Sequence, residues 1–319
     1  MYGLYGRCHE LHLHDPKTKC MLFDALVRPI LNYCCEIWAL LGSNAAFDMM
    51  EKVHTSFLRQ LLGVPTNTSS KMLYAEFGRL PLRCMWMKQC LFYLQRLSKL
   101  HSDCMITAAL DADVQKGLGW YHGLSQQLRQ RYDLRLPRID RECNFASIAN
   151  LVQDREIAQI MTAEDGNHLQ QTYYSFKTEY RMEPYITQSK NRHMRGVVAR
   201  FRLGSHWLQV CKGRNFGQPF QNRTCRCCRR DIETEEHAIF ACRENTHLRE
   251  SFADLFQGEP GTSLRSFLVH NPCHRLALFL TACKAVKAQP ARTFIEVDCD
   301  LDLELGMIEN DAYSSSDDT

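Results

Sequence analysis

The spacing Cys225-x2-Cys228-x8-His237-x4-Cys242 restricts the folding of this chain more than any other feature. Two cysteines three positions apart sit on a tight turn whose thiolates converge on one soft cation, and His237 and Cys242 complete a second pair of ligands. Four protein ligands fill a tetrahedron and leave no open position for water. The expected site is therefore a structural Zn2+ that braces a fold and performs no hydrolysis. Cys227 competes as the first ligand, although the two-residue spacer of Cys225 is the commoner turn geometry. His237 and Cys242 are five apart, which on a regular helix puts them on different faces. The segment must begin a helix at His237 and then loosen, or be irregular.

This module ends a strongly cationic stretch. From Pro184 through Arg230 there are eleven Lys and Arg and no Asp or Glu: Lys190, Arg192, Arg195, Arg200, Arg202, Lys212, Arg214, Arg223, Arg226, Arg229 and Arg230. Phe201, Trp207, Phe216 and Phe220 are interleaved with them. Arginine holds phosphate bidentately and aromatic faces stack on unpaired bases, so both residue types suit a nucleic-acid groove. Arg195, Arg200 and Arg202 fall around a mixed apolar run, where some can equally be the wet face of a helix or strand. The whole chain carries a formal charge of only +3 because residues 290–319 hold nine acids against Arg292 alone; subtracting that −8 leaves +11 on residues 1–289.

Helical periodicity dominates the first hundred residues. After Asp15-Pro16, the run Cys20 to Leu41 is apolar nearly all round, with Pro29 as a kink or break, and reads as a buried helix. Asp24, Arg28, Asn32 and Glu36 interrupt it too often for a bilayer span. The next helix starts at a Ser43 or Asn44 cap, carries Phe47, Met50, Val53, Phe57 and Leu61 on one face, and closes at Gly63 and Pro65. Asp48, Glu51, Lys52 and Arg59 make its solvated face. Lys71 to Phe77 forms a short helix ended by Gly78, and Leu82 to His101 a longer one whose stripe of Trp86, Cys90, Tyr93, Leu94, Leu97 and Leu100 packs into a core. The pattern weakens from Asp111 to Glu183, with Tyr121 to Arg131 and Phe145 to Met161 as helices. Thr246 to Phe256 and Ser263 to Lys287 read as two more, separated by a turn around Gly258, Glu259 and Pro260.

Several function classes find no support. The one Asp-Asp pair, Asp317-Asp318, lies in the acidic tail without an apolar strand around it, so no two-metal polymerase site is present. Phosphate-binding loops, nucleophile elbows and His-Glu-x2-His helices are missing. Cys8, His9, His12, His14 and Asp15 crowd together at spacings that fit no standard metal site, and the adjacent Cys34 and Cys35 read as packed residues. Sixteen cysteines in a long, helix-patterned chain that opens without a secretory signal point to a reducing, intracellular compartment, nucleus or cytoplasm, with no membrane partner.

Val27-Arg28-Pro29-Ile30-Leu31-Asn32-Tyr33-Cys34-Cys35-Glu36-Ile37-Trp38, followed by Phe57 to Pro65 and by Glu76 to Leu82, resembles the region downstream of the polymerase core in LINE-type, non-LTR retrotransposon reverse transcriptases. Phe201-Arg202-Leu203-Gly204-Ser205-His206, the Gly213-Arg214 turn and the Cys-Cys-His-Cys knuckle follow in the order that family uses. The resemblance spans most of residues 5 to 287 and implies a thumb-like region, a C-terminal nucleic-acid-binding part, and zinc on Cys225, Cys228, His237 and Cys242. Cys34 stands where the family usually has glycine, the acidic tail is foreign to it, and the palm with its paired aspartates would lie upstream of Met1.

The expected fold is mainly α: a helical thumb-like domain (1–135), a helical linker region (136–185), a basic zinc-knuckle module (186–250), C-terminal helices (251–289) and a disordered acidic tail (290–319). The expected function is nucleic-acid binding without catalysis, with RNA or DNA held by Arg192, Arg195, Arg200, Arg202, Lys212, Arg214, Arg223, Arg229 and Arg230. Two alternatives are a zinc-braced helical adaptor for another protein and an accessory piece of an active RNA-directed DNA polymerase whose palm is on another chain.

Overall fold

A computed structural model of the chain describes residues 2–101, 104–137, 139, 143–189, 191–257 and 263–288. The acidic tail at 290–319, Lys190 and the turn expected around Gly258, Glu259 and Pro260 lie outside the described residues. Within them the protein is mainly α, with seventeen α-helices between Tyr2 and Ala288. β-structure among these residues is limited to two isolated antiparallel bridges, Phe77 to Met182 and Thr224 to Ile232. None of the helices is long and apolar enough to cross a membrane.

Local rules set the ends of the helices. Helix Asn44–Leu62 begins where the Ser43 hydroxyl accepts the Ala46 N–H at 3.3 Å. It ends at Gly63 (φ +65°), with Val64 N–H donating to Arg59 O and Gly63 N–H to Gln60 O, the paired bonds of a Schellman cap. Two residues of its expected solvated face have structural jobs instead. Glu51 accepts the Tyr74 hydroxyl and the N–H groups of Leu82 and Arg83 at 3.2 and 3.4 Å, so its carboxylate caps helix Leu82–Leu97. Arg59 donates to Thr68 O at 2.8 Å and Ser70 Oγ at 3.0 Å, tying down the next loop.

The run from Cys20 to Leu41 is not one buried helix. It divides into helix Pro16–Leu22, a π turn at Phe23–Val27, helix Arg28–Leu31 and, after Cys34 in the left-handed region (φ +51°), helix Cys35–Trp38. Pro29 has no N–H to give the ladder, and the widened turn just before it absorbs the mismatch. Phe23 and Cys35 are buried, whereas Met21, Leu26, Ile30, Tyr33, Ile37 and Leu41 are exposed. The span expected as one helix from Ser263 to Lys287 likewise splits into Leu264–His270 and Cys273–Ala288. Pro272 disfavours helical backbone at Asn271, whose ψ is 144°.

Packing joins distant parts of the sequence. One apolar cluster unites Phe57, Leu73, Tyr173, Phe201, Phe267 and Phe279, and a second gathers Leu91, Leu94, Leu124, Leu128, Phe145 and Val152. Trp86, Phe47, Leu82 and Cys35 form a junction, with Trp86 Nε1 donating to Asn32 Oδ1 at 2.9 Å. Helix Arg192–Arg202 lies against the end of Asn44–Leu62 so closely that a Cβ on Gly196 would sit 3.2 Å from Leu62 O. Arg200 completes this contact, donating to Gly63 O at 2.7 Å.

Candidate metal centre

Thr224 and Ile232 form a bridge that pinches the chain into a loop, and within it Cys225 N–H donates to Asp231 O at 2.8 Å while Arg229 N–H donates to Cys225 O at 2.9 Å. Arg229 takes a left-handed conformation (φ +56°), which reverses the chain after Cys228. Together these bonds hold Cys225 and Cys228 on one turn. The second pair of ligands comes from the π turn His237–Ala241, in which Cys242 N–H donates to His237 O at 2.7 Å. A five-residue separation that would diverge on an α-helix matches the i to i+5 repeat of this wider turn. Arg249 closes it by donating to Cys242 O at 2.9 Å, and Asn245 by donating to Ala238 O at 2.9 Å.

Cys225, Cys228, His237 and Cys242 are all buried, and their ligand atoms lie within 4.8 Å of one another. A tetrahedral ion with metal–sulfur bonds of about 2.3 Å and metal–nitrogen bonds of about 2.0 Å requires about 3.8 Å between thiolates and about 3.5 Å between thiolate and imidazole nitrogen. The observed separations are 3.9 Å from Cys225 Sγ to Cys242 Sγ and 3.3 Å from Cys228 Sγ to His237 Nε2. The four residues therefore fit a metal ion. His237 Nδ1 faces Asp231 Oδ2 at 3.6 Å, the side from which a carboxylate orients a ligating imidazole. Cys225, not Cys227, belongs to the four-residue group; Cys227 is half-buried beside it.

Two acids absent from the expected site anchor the module. Glu233 is buried, accepts Gln209 N–H at 2.6 Å and both bonds of Lys287 Nζ at 2.5 and 2.8 Å, and stands 3.9 Å from Cys225 Sγ. It thereby ties the knuckle to helices Gln209–Asn215 and Cys273–Ala288. Glu235 accepts from His206 Nε2 at 2.8 Å, and Cys211 Sγ lies 3.4 Å from the same nitrogen. His206, Cys211 and Glu235 have metal-binding chemistry but are already satisfied. Leu208 N–H donates to His206 Nδ1, so the proton sits on Nε2 and leaves no lone pair there for an ion, while the Cys211 thiol donates to Gly204 O at 3.0 Å. The signal for Glu233 and Glu235 in the sequence is their position: they are among the first acids after the long acid-free stretch.

The nine cations expected to meet nucleic acid do not share one surface. Arg202 is fully buried, bound to Glu76 at 2.6 Å and Glu183 at 2.8 Å, and cannot reach a phosphate. Arg195 is also buried and donates to Ser189 O at 2.6 Å. Arg223 is half-buried, spending its donors on Gln218 O and Val210 O, which closes the loop before the knuckle. Arg192, Lys212, Arg229 and Arg230 are exposed, as is Arg226; Arg200 and Arg214 are exposed with one donor each committed, to Gly63 O and Gly204 O. Of the interleaved aromatics, Phe201 is buried in the core and Phe216 is 86% exposed. Comparison of the chain with family models, curated proteins and solved structures returns no match.

Proposed function

We propose that this chain is a zinc-containing nucleic-acid-binding fragment akin to the C-terminal part of a LINE-type, non-LTR retrotransposon reverse transcriptase, without its catalytic palm. The family part of this reading rests on the order of motifs in the sequence. The observation that carries the binding part is the knuckle itself: a closed Cys-Cys-His-Cys set whose turn holds Arg226, Arg229 and Arg230 outward, at the end of a stretch free of acids. Zinc is the natural ion for three thiolates and an imidazole in a tetrahedron, and with no position open it works as a brace. RNA or DNA is held chiefly through phosphates, with little sequence reading. The reading assigns no catalysis to this chain and places it inside the cell, in the nucleus or cytoplasm, where cysteines outside disulfides persist.

Titration of a labelled single-stranded oligonucleotide at several salt concentrations tests the binding. Neutralising about five phosphates of a single strand gives a log-log slope of about −3.5; a flat salt response, or no binding, contradicts it.

The exposed residues Met21, Leu26, Ile30, Tyr33, Ile37 and Leu41 favour a second reading. So many large apolar side chains on one short segment suit a surface that another polypeptide covers, as a thumb-like region would be beside its polymerase core. On this reading the chain is an accessory to a palm-bearing reverse transcriptase. Template-dependent synthesis that rises on adding this chain to such an enzyme supports it, and unchanged synthesis removes it.

A further inference from the structure

Helix Cys273–Ala288 delivers the acidic tail to the knuckle. One residue before its end, Lys287 Nζ donates to Trp207 O at 3.0 Å and to Glu233, the acid beside Cys225. The chain therefore leaves Ala288 close to the Cys225 side of the metal cluster. The segment that follows has nine acids and a single arginine. Its acids are ordered: Glu296, Asp298, Asp300, Asp302 and Glu304 alternate with Val297, Cys299, Leu301, Leu303 and Leu305. Such alternation lets an extended backbone present carboxylates about 6.6 Å apart on one side and an apolar row on the other.

We propose that residues 296–305 dock on the turn of the knuckle, with carboxylates on the exposed Arg226, Arg229 and Arg230. Three observations converge. The three arginines are exposed and, among the described residues, pair with no acid, Asp231 beside them facing His237; the segment has the opposite charge and a two-sided pattern; and the tether starts beside the knuckle. A short tether gives an effective concentration in the millimolar range, so weak ion pairs suffice to hold the segment at low salt. Such docking opposes other polyanions at the same face. That consequence alone rests on the nucleic-acid reading; the docking itself needs only the charges.

The full chain is compared with a full-length variant carrying E296Q, D298N, D300N, D302N and E304Q, both treated with the arginine reagent phenylglyoxal and analysed by mass spectrometry. At low salt, modification of Arg226, Arg229 and Arg230, relative to exposed Arg96, rises about threefold or more in the variant, and about 0.5 M salt removes the difference by screening. Equal rates at low salt overturn the docking. A single-stranded oligonucleotide provides the second arm: the variant binds it about tenfold more tightly when the tether no longer competes. A changed footprint with no oligonucleotide binding by either protein leaves the docking standing and removes the nucleic-acid reading.

Discussion

The arginines of helix Arg192–Arg202 and those of the knuckle belong to the same acid-free stretch, yet the fold uses them in opposite ways. Arg202 lies in a sealed network with Glu76, Glu183 and Lys177, two charges of each sign, and its guanidinium sits 4.9 Å over the Phe176 ring and 5.2 Å over Tyr185. Tyr173 adds a hydroxyl to Glu76 at 2.7 Å. Burial by itself would raise the Glu76 pKa, but Arg202 overrides it and holds the carboxyl below its ordinary range. Arg229 and Arg230, by contrast, project from a turn whose own carbonyls and amides are committed to the metal loop. Clustering of like charge along a chain thus says little about where the charge goes. In the helix the acids that neutralise Arg202 arrive from residue 76, far away in sequence, and from residue 183, outside the helix; at the knuckle none arrives from among the described residues.

Substitution sharpens this contrast most at Arg202. Removing one partner of a buried ion network leaves uncompensated charge, so Arg202→Met costs about 3–5 kcal/mol in urea unfolding. Arg229→Met and Arg230→Met, which lie on the surface, stay within about 0.5 kcal/mol of the parent. Their effect falls on binding instead: together they flatten the salt slope for a single-stranded oligonucleotide by about 1.4, roughly 0.7 for each phosphate no longer neutralised. Equal destabilisation at Arg202 and Arg230 would dissolve the distinction between the two groups.

The distinction was partly legible in the sequence. Arg195, Val198 and Arg202 are spaced by three and four, which puts both arginines on the inward stripe of an amphipathic helix, with Arg200 off it. The acidic partners of Arg202 were not legible, because its pairing with Glu76, more than a hundred residues away, and with Glu183, ahead of the preceding helix, exists only once helices have packed. Helix type and the caps at Ser43 and Gly63 followed from local chemistry and are present. Glu51 was misplaced on a solvated face because its role, capping helix Leu82–Leu97, depends on a neighbour. Spacing pointed to Cys228, His237 and Cys242 and preferred Cys225 to Cys227 as the remaining candidate ligand; the fold brings Cys225 into the four-residue group. The π turn that resolves the awkward His237 to Cys242 separation was not legible, because the sequence required only an irregular segment.

The central claim is that Cys225, Cys228, His237 and Cys242 together hold one zinc. Metal analysis of the purified chain by mass spectrometry under native conditions, beside Cys228→Ser and His237→Ala, tests it directly. The wild type carries one equivalent of zinc, and both variants lose it together with much of the order of the module, since metal binding at such sites is also folding energy. A wild-type chain without zinc, or zinc retained in both variants, would contradict the claim.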